Sequence, residues 1–151
     1  MNLKKFYLNS FMQDITAFGT VYHLAVLIAV LVAFNQNPLA YKLAAGQIIM
    51  YFISVPIKIV LFKNRPEKMR HKNIIEKIEA SSFPSVHTMR IFFISSVLIP
   101  VFNNIATSVI LAILSLAVAY SRIYLKRHYY ADVIAGAAIG IIIGYGVSNY
   151  V

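Results

Sequence analysis

Cysteine is absent from the 151 residues of this chain, which excludes disulfides, thiolate chemistry and cysteine-ligated metal. Acidic side chains are almost as scarce, being limited to Asp14, Glu67, Glu76, Glu79 and Asp132. A carboxylate-bridged pair of metal ions is hard to assemble from so few, and neither a metal nor another cofactor is expected. Charged residues of both signs make up only 13% of the chain. What is there instead is apolar: 60% hydrophobic residues and a mean hydropathy of +0.72, too high for a soluble domain of this size.

The chain therefore reads as a membrane protein. A helix rising ~1.5 Å per residue needs about 20 residues to cross roughly 30 Å of hydrocarbon, so the length allows about five spans. The expected fold is all-α, a polytopic transmembrane helical bundle forming a single membrane-embedded domain over residues 1–151. The net charge of +9 comes from residues lying between apolar runs and not along one soluble face. It points to anionic lipid at the bilayer surface and not to nucleic acid.

Residues 1–14 intersperse Lys4 and Lys5 with Leu3, Phe6, Leu8, Phe11 and Met12, which suits an amphipathic segment on the membrane surface or a frayed terminus. Residues 15–34 carry no charge and form the first expected span. The basic start resembles a signal peptide, but the apolar stretch is long and no small-residue cleavage site follows, so it is expected to remain in the chain. After a polar turn at 35–38, residues 43–62 make the second span, kinked at Pro56.

Residues 63–82 form a polar interfacial loop with a short helix over 74–80, a candidate lid or substrate entrance. Ser81-Ser82-Phe83-Pro84-Ser85 has the serine caps and first-turn proline of a helix start, opening a third span to about Phe102 with an interruption at Pro100. The fourth span covers 105–125 and the fifth runs from Asp132 to the end of the chain. Gly136, Gly140 and Gly144 recur along the fifth; packing within the bundle is their simplest use, dimerisation the alternative, and the oligomeric state stays open. Counting spans puts loops 63–82 and 126–131 on one face with the N-terminus.

Polar groups gather where these runs end. Ser121 and Arg122 close one run, and His128 and Asp132 open the next. If Asp132 opens a helix, its spacing from His128 lets the carboxylate reach one ring nitrogen, fixing the tautomer and leaving the other nitrogen free as base or nucleophile. Arg122 supplies a cation for an anionic reactant. Lys58 and Arg65 flank another run's end, and Pro84-Ser85-Val86-His87 opens the run after it. A lone lysine at Lys58 would serve equally by snorkelling to headgroups, but Arg65 beside it favours a shared anion.

Lys58-x6-Arg65-Pro66, Pro84-Ser85-Val86-His87 and Ser121-Arg122-x5-His128-x3-Asp132 resemble the three motifs of the type 2 phosphatidic acid phosphatase family, most closely at the third. The resemblance covers residues 58–132, about half of the chain. It implies an integral membrane lipid phosphatase that hydrolyses a phosphate or diphosphate monoester of a membrane lipid through a phosphohistidine, without metal. It implies His128 as nucleophile with Asp132 orienting it, and His87 as general acid and then base. It implies Lys58, Arg65, Arg122, the Ser85 hydroxyl and the Val86 backbone N–H as a phosphate cradle. Phosphoryl transfer needs mainly positioning and charge stabilisation on three equatorial oxygens, which cations and helix-start N–H groups provide.

Val86 stands where the family has glycine, and valine adopts positive φ poorly. That departure keeps an alternative open, a non-catalytic lipid-phosphate binder or transporter. The motifs are shared with vanadium haloperoxidases, but those are soluble. A purely structural membrane protein would leave costly ionisable groups in the spans unexplained. Substrates implied by the family are polyprenyl diphosphate, phosphatidate, phosphatidylglycerophosphate and lipid A phosphate, and the sequence does not choose among them.

The other polar residues have simpler readings. His23, in the middle of the first expected span, reads as a hydrogen-bonded structural residue, and His71 as solvated. Arg90, one turn after His87, either supports the site from behind or pairs with headgroups. Tyr124, Tyr129 and Tyr130 read as interfacial anchors. Of 14 lysines and arginines, Lys42 alone falls on the face opposite the motifs, so the positive-inside rule turns the site of this cell-membrane protein to the cytoplasm. Many enzymes resembling it work on the outer face.

Overall fold

A computed structural model of the protein describes residues 3–67 and 69–151. Its helices, in chain order, are α1 (Leu3–Ala17), α2 (Val21–Ala33), α3 (Asn37–Val60), α4 (Ile74–Ala80), α5 (Val86–Phe102), α6 (Ile105–Tyr124) and α7 (Tyr130–Tyr150). Among the described residues there is no strand, and an isolated bridge joins Asn64 to Ser81. α3, α6 and α7 are each long and apolar enough to cross a membrane; α1 and α2, bent by 48° at their junction, pass that test together. α5 is apolar and 17 residues long, about 25 Å at ~1.5 Å per residue. The all-helical membrane bundle is as expected, with one of its roughly five elements bent and another short.

The apolar run expected as one span over 15–34 is broken at Phe18–Thr20. Thr20 accepts the His23 backbone N–H and caps α2. The chain is pressed there against the start of α5: a Cβ on Gly19 would lie 2.8 Å from the His87 carbonyl oxygen. Tertiary contact, to which hydropathy is blind, makes this break. His23 accordingly sits in the first turn of α2, exposed and 3.2 Å from the Thr20 hydroxyl, and not in mid-span. α1 extends to Ala17 and packs along α6, with Leu3, Phe6 and Phe11 facing outward.

Two proline expectations also change. α3 starts at Asn37, six residues earlier than the run of apolar residues indicated, because Pro38 fits the first helical turn, where its missing N–H is no loss. At Pro100, where an interruption was expected, α5 instead continues to its end two residues later; Pro56 lies inside α3, which runs unbroken past it.

α5 is the central helix, burying Met89, Ile91, Phe93, Ile94, Val97 and Leu98. It lies directly on the glycine stripe of α7. A Cβ on Gly136 would sit 2.5 Å from the Ser85 carbonyl, and Cβ atoms on Gly140 and Gly144 would collide with the Met89 carbonyl and the Ser96 hydroxyl. The stripe is thus used inside the bundle, where close backbone approach takes the place of a hydrophobic drive that lipid does not supply. Gly46 of α3 makes room for the Phe93 ring in the same way. Neutral hydroxyls join α5 to α6 in mid-bundle, Ser95 Oγ lying 2.8 Å from Ser115 Oγ.

Candidate active site

The up-and-down course of the bundle brings the last turns of α3 and α6 and the first turns of α5 and α7 to one end. Lys58 and Arg122 lie in those last turns, and Asp132 in the first turn of α7. A cavity of about 440 Å³ there is lined by Lys58, Arg65, Val86, His87, Arg122 and His128. Ser85 and Asp132 stand behind its wall, both fully buried. The Ser85 hydroxyl, expected in the phosphate cradle, is instead 3.0 Å from Thr88 Oγ1, while its N–H donates to the Asp132 carbonyl at 3.0 Å. Ser85 is the N-cap residue of α5, which puts Pro84 before the helix and not in its first turn.

Main-chain carbonyls hold the cations in place. Lys58 Nζ donates to the carbonyls of Ser81 at 2.7 Å and Ile78 at 3.3 Å, and Arg65 Nη2 donates to that of Glu79. These carbonyls end α4, where a helix presents unsatisfied acceptors and partial negative charge. Loop 63–82 is thereby fastened to the cavity, and its helix has the bounds read from the sequence. Arg122 Nη1 donates to Thr16 Oγ1 of α1 at 2.9 Å. The Nε atoms of Arg65 and Arg122 are buried with no partner among the described residues. Arg90 also lines the cavity, but its Nε donates to Gln47 Oε1 at 2.8 Å and its Nη1 to the Gly19 carbonyl. It ties α5 to α3 and to the α1–α2 junction, and so supports the site and does not reach headgroups.

His128 is held differently from the expected pairing. Its Nδ1 lies 2.6 Å from the Ser82 carbonyl oxygen, and because a carbonyl can only accept, Nδ1 carries the hydrogen and Nε2 keeps its lone pair. Asp132 Oδ2 is 4.0 Å from Nδ1, beyond hydrogen-bond range. Its carboxylate is engaged elsewhere: Oδ2 accepts the Tyr129 N–H at 2.9 Å, and Oδ1 meets Lys63 Nζ at 2.6 Å. The physical reason is local. Asp132 is the third residue of α7, where an acidic side chain turns back on the helix's own free N–H groups.

Burial holds the His128 imidazole well below its usual range, Arg122 and Arg65 push the same way, and the Ser82 carbonyl opposes them. The ring is neutral at physiological pH, with a lone pair to offer. Lys63 and the Ser82 carbonyl were not identifiable from sequence. A loop lysine has no distinguishing spacing, and a main-chain acceptor has no side-chain signature.

The sequence profile of the PAP2 superfamily matches residues 39–151, and so takes in every cavity position from Lys58 to His128. Undecaprenyl-diphosphatase BcrC of Bacillus subtilis (strain 168) is 31% identical over 141 residues, which cover 91% of this chain and 72% of that protein. The crystal structure of Aquifex aeolicus LpxE matches with a TM-score of 0.80 at 25% identity, over 95% of this chain and 87% of that one. A transmembrane PAP2-type phosphatidylglycerolphosphate phosphatase from Bacillus subtilis matches at 0.69 and 21% identity, over 95% and 76%, a likeness of fold. Profile, relative and fold agree, and the chain belongs to the PAP2 superfamily.

Proposed function

We propose that this protein is a membrane lipid phosphatase, hydrolysing a phosphate or diphosphate monoester through a phosphohistidine on His128 without a metal ion. One observation carries the reading: two histidines and four cations line a single cavity, and two of those cations, Arg65 and Arg122, keep buried Nε–H groups that no acceptor among the described residues satisfies. Buried donors of this kind call for an acceptor, and phosphoryl oxygens are suitable ones. Tyr22 and Tyr51, both exposed on α2 and α3, line the same cavity, so an amphiphile can reach it with its chains still in the bilayer. The relative named undecaprenyl-diphosphatase favours a polyprenyl diphosphate among the candidate lipids.

In this mechanism the Nε2 lone pair of His128 attacks phosphorus while Lys58, Arg65 and Arg122 hold the equatorial oxygens. His87 gives its proton to the departing oxygen. It then takes one from the water that cleaves the N–P bond. The Ser82 carbonyl stabilises the positive charge growing on the ring, and Asp132 fixes the helix start and Lys63 beside it.

A non-catalytic lipid-phosphate binder was motivated by Val86, but that position has ordinary negative φ, so valine costs no backbone strain there. The lysine and arginine asymmetry favours a cytoplasmic site. A reporter fused at Val151 should then read the outer side, and a cytoplasmic reading would reverse the orientation.

The deciding experiment follows phosphate release from lipid monophosphates and diphosphates by the detergent-purified protein in EDTA. Release that survives chelation and disappears in His128→Ala is the expected result. Lipid binding without release from any substrate would instead establish the binder.

A further inference from the structure

A second cavity, of about 540 Å³, lies on the other side of Arg122, between α1 and the turn that carries His128. From α1 it receives Lys5, Asn9, Gln13 and Thr16, spaced by three or four residues so that they form one polar stripe. From the turn it receives Lys126 and Arg127, with Glu67 as its acid. With Arg122 that makes four cations against one carboxylate, and Glu67 lies 3.8 Å from Arg127. Arg122 lines both cavities and is itself buried, with Nη1 bonded to Thr16 on the second cavity's wall.

The turn is built around the same residue. The backbone N–H groups of Arg127 and His128 both donate to the Arg122 carbonyl, at 3.0 and 3.2 Å, and Lys126 takes a left-handed φ of 54°. An anion here thus touches the segment that immediately precedes the nucleophile.

We propose that this second cavity is a binding site for inorganic phosphate, which it receives from the catalytic cavity past Arg122. The identification of the ion rests on the phosphatase reading. In a phosphate or diphosphate monoester the transferred phosphoryl group is the one farthest from the lipid chains. The chains, and any second phosphate attached to them, stay on the side of α2 and α3. Once the lipid product has left, water takes its place on the His87 side, opposite Nε2, and forms the new O–P bond as N–P breaks. One water proton goes to His87, the N–P electron pair returns to Nε2, and orthophosphate is left in a cavity whose wall includes Arg122. The next cations it meets are Lys126, Arg127 and Lys5.

Equilibrium dialysis of the full chain in detergent against radiolabelled inorganic phosphate counts the sites. Wild type should bind two phosphates, and Lys5→Gln/Lys126→Gln one, with the double arginine variant at these positions restoring the second. One phosphate in both wild type and the glutamine variant, or two in both, would overturn the site. Kinetics then assign the source. Inhibition by inorganic phosphate should weaken at least fivefold in the glutamine variant while the KM values for lipid monophosphate and diphosphate move together. A rise in KM for the diphosphate alone would make the occupant the lipid's second phosphate and overturn the assignment to the free ion. If no lipid is hydrolysed, the phosphatase reading fails, yet the dialysis count still decides whether the site exists.

Discussion

The bundle has a cavity at each end, and they differ in chemistry far more than in size. The cavity proposed as catalytic measures about 440 Å³, and the one at the opposite end, between α3, α5 and α7, about 360 Å³. The far cavity is lined by Pro38, Leu39, Val97, Pro100 and Val101 with one lysine, Lys42, whose ammonium is spent on the Ser148 carbonyl at 2.9 Å. At the proposed catalytic end, carbonyls of loop 63–82 anchor Lys58, Arg65 and His128 while leaving arginine N–H groups and an imidazole lone pair unspent among the described residues. A hollow in a helical bundle is therefore not a site in itself; the unspent donors and lone pair make it one. The anchoring loop gives the site end that property; the far cavity also holds a buried hydroxyl with no partner among the described residues, Ser148 Oγ, but that group is neutral, and neither an arginine nor a histidine lines the cavity with it.

The contrast can be broken from the catalytic side first. Replacing His87 by alanine should lower kcat for the preferred lipid by roughly 10²–10⁴-fold, the usual contribution of a positioned acid–base group. A loss below tenfold would remove His87 from the mechanism. Gly140→Val comes next, since its side chain would drive α7 from the Met89 carbonyl of α5. Overpacking of this kind costs about 1–3 kcal/mol, read as a lower thermal midpoint in detergent, and activity should fall with it because α7 fixes the turn carrying His128.

The pH dependence of stability sharpens the comparison further. His128 is buried neutral, with its folded pKa depressed, so above its ordinary value of about 6.5 it is uncharged in both states and contributes no slope. Below about 6.5 the unfolded chain takes up a proton that the folded chain refuses, so stability should fall with pH by up to about 1.4 kcal/mol per unit. His128→Gln should flatten that slope over the same window, and an unchanged slope would contradict the burial argument. The smallest effect belongs to the far end. Lys42→Gln should shift stability by no more than about 0.5 kcal/mol and leave turnover untouched.

Much of this organisation was legible in the sequence, for reasons that particular residues make clear. Long apolar runs marked α3, α6 and α7 because lipid imposes a length and a polarity on a span. The glycines at 136, 140 and 144 announced a close helix contact, since few other uses exist for that period. Lys58, Arg65, His87, Arg122 and His128 were readable because each is an ionisable group standing at the end of an apolar run. Less legible was whatever the folded chain decides by contact. The break at Gly19 exists because α5 starts against it, and Asp132 meets Lys63 instead of His128 because helix-start geometry outweighs the attraction of a nearby ring. Ser85 looked like a cradle residue from its motif, yet its hydroxyl is used within α5.

The bond from His128 Nδ1 to the Ser82 carbonyl has a consequence for how this protein tolerates change. An acceptor contributed by the main chain is rebuilt with every residue type, so no single codon encodes it. Substitution at position 82 should leave the imidazole tautomer intact provided that the loop keeps its course, whereas a side-chain acceptor would be lost in one step. On the Ser82 side, the mutational targets for disarming the proposed nucleophile are thus narrowed to insertions or deletions that shift the register of the 63–82 segment, alongside His128 itself and residues such as Gly140 that seat the helix after its turn.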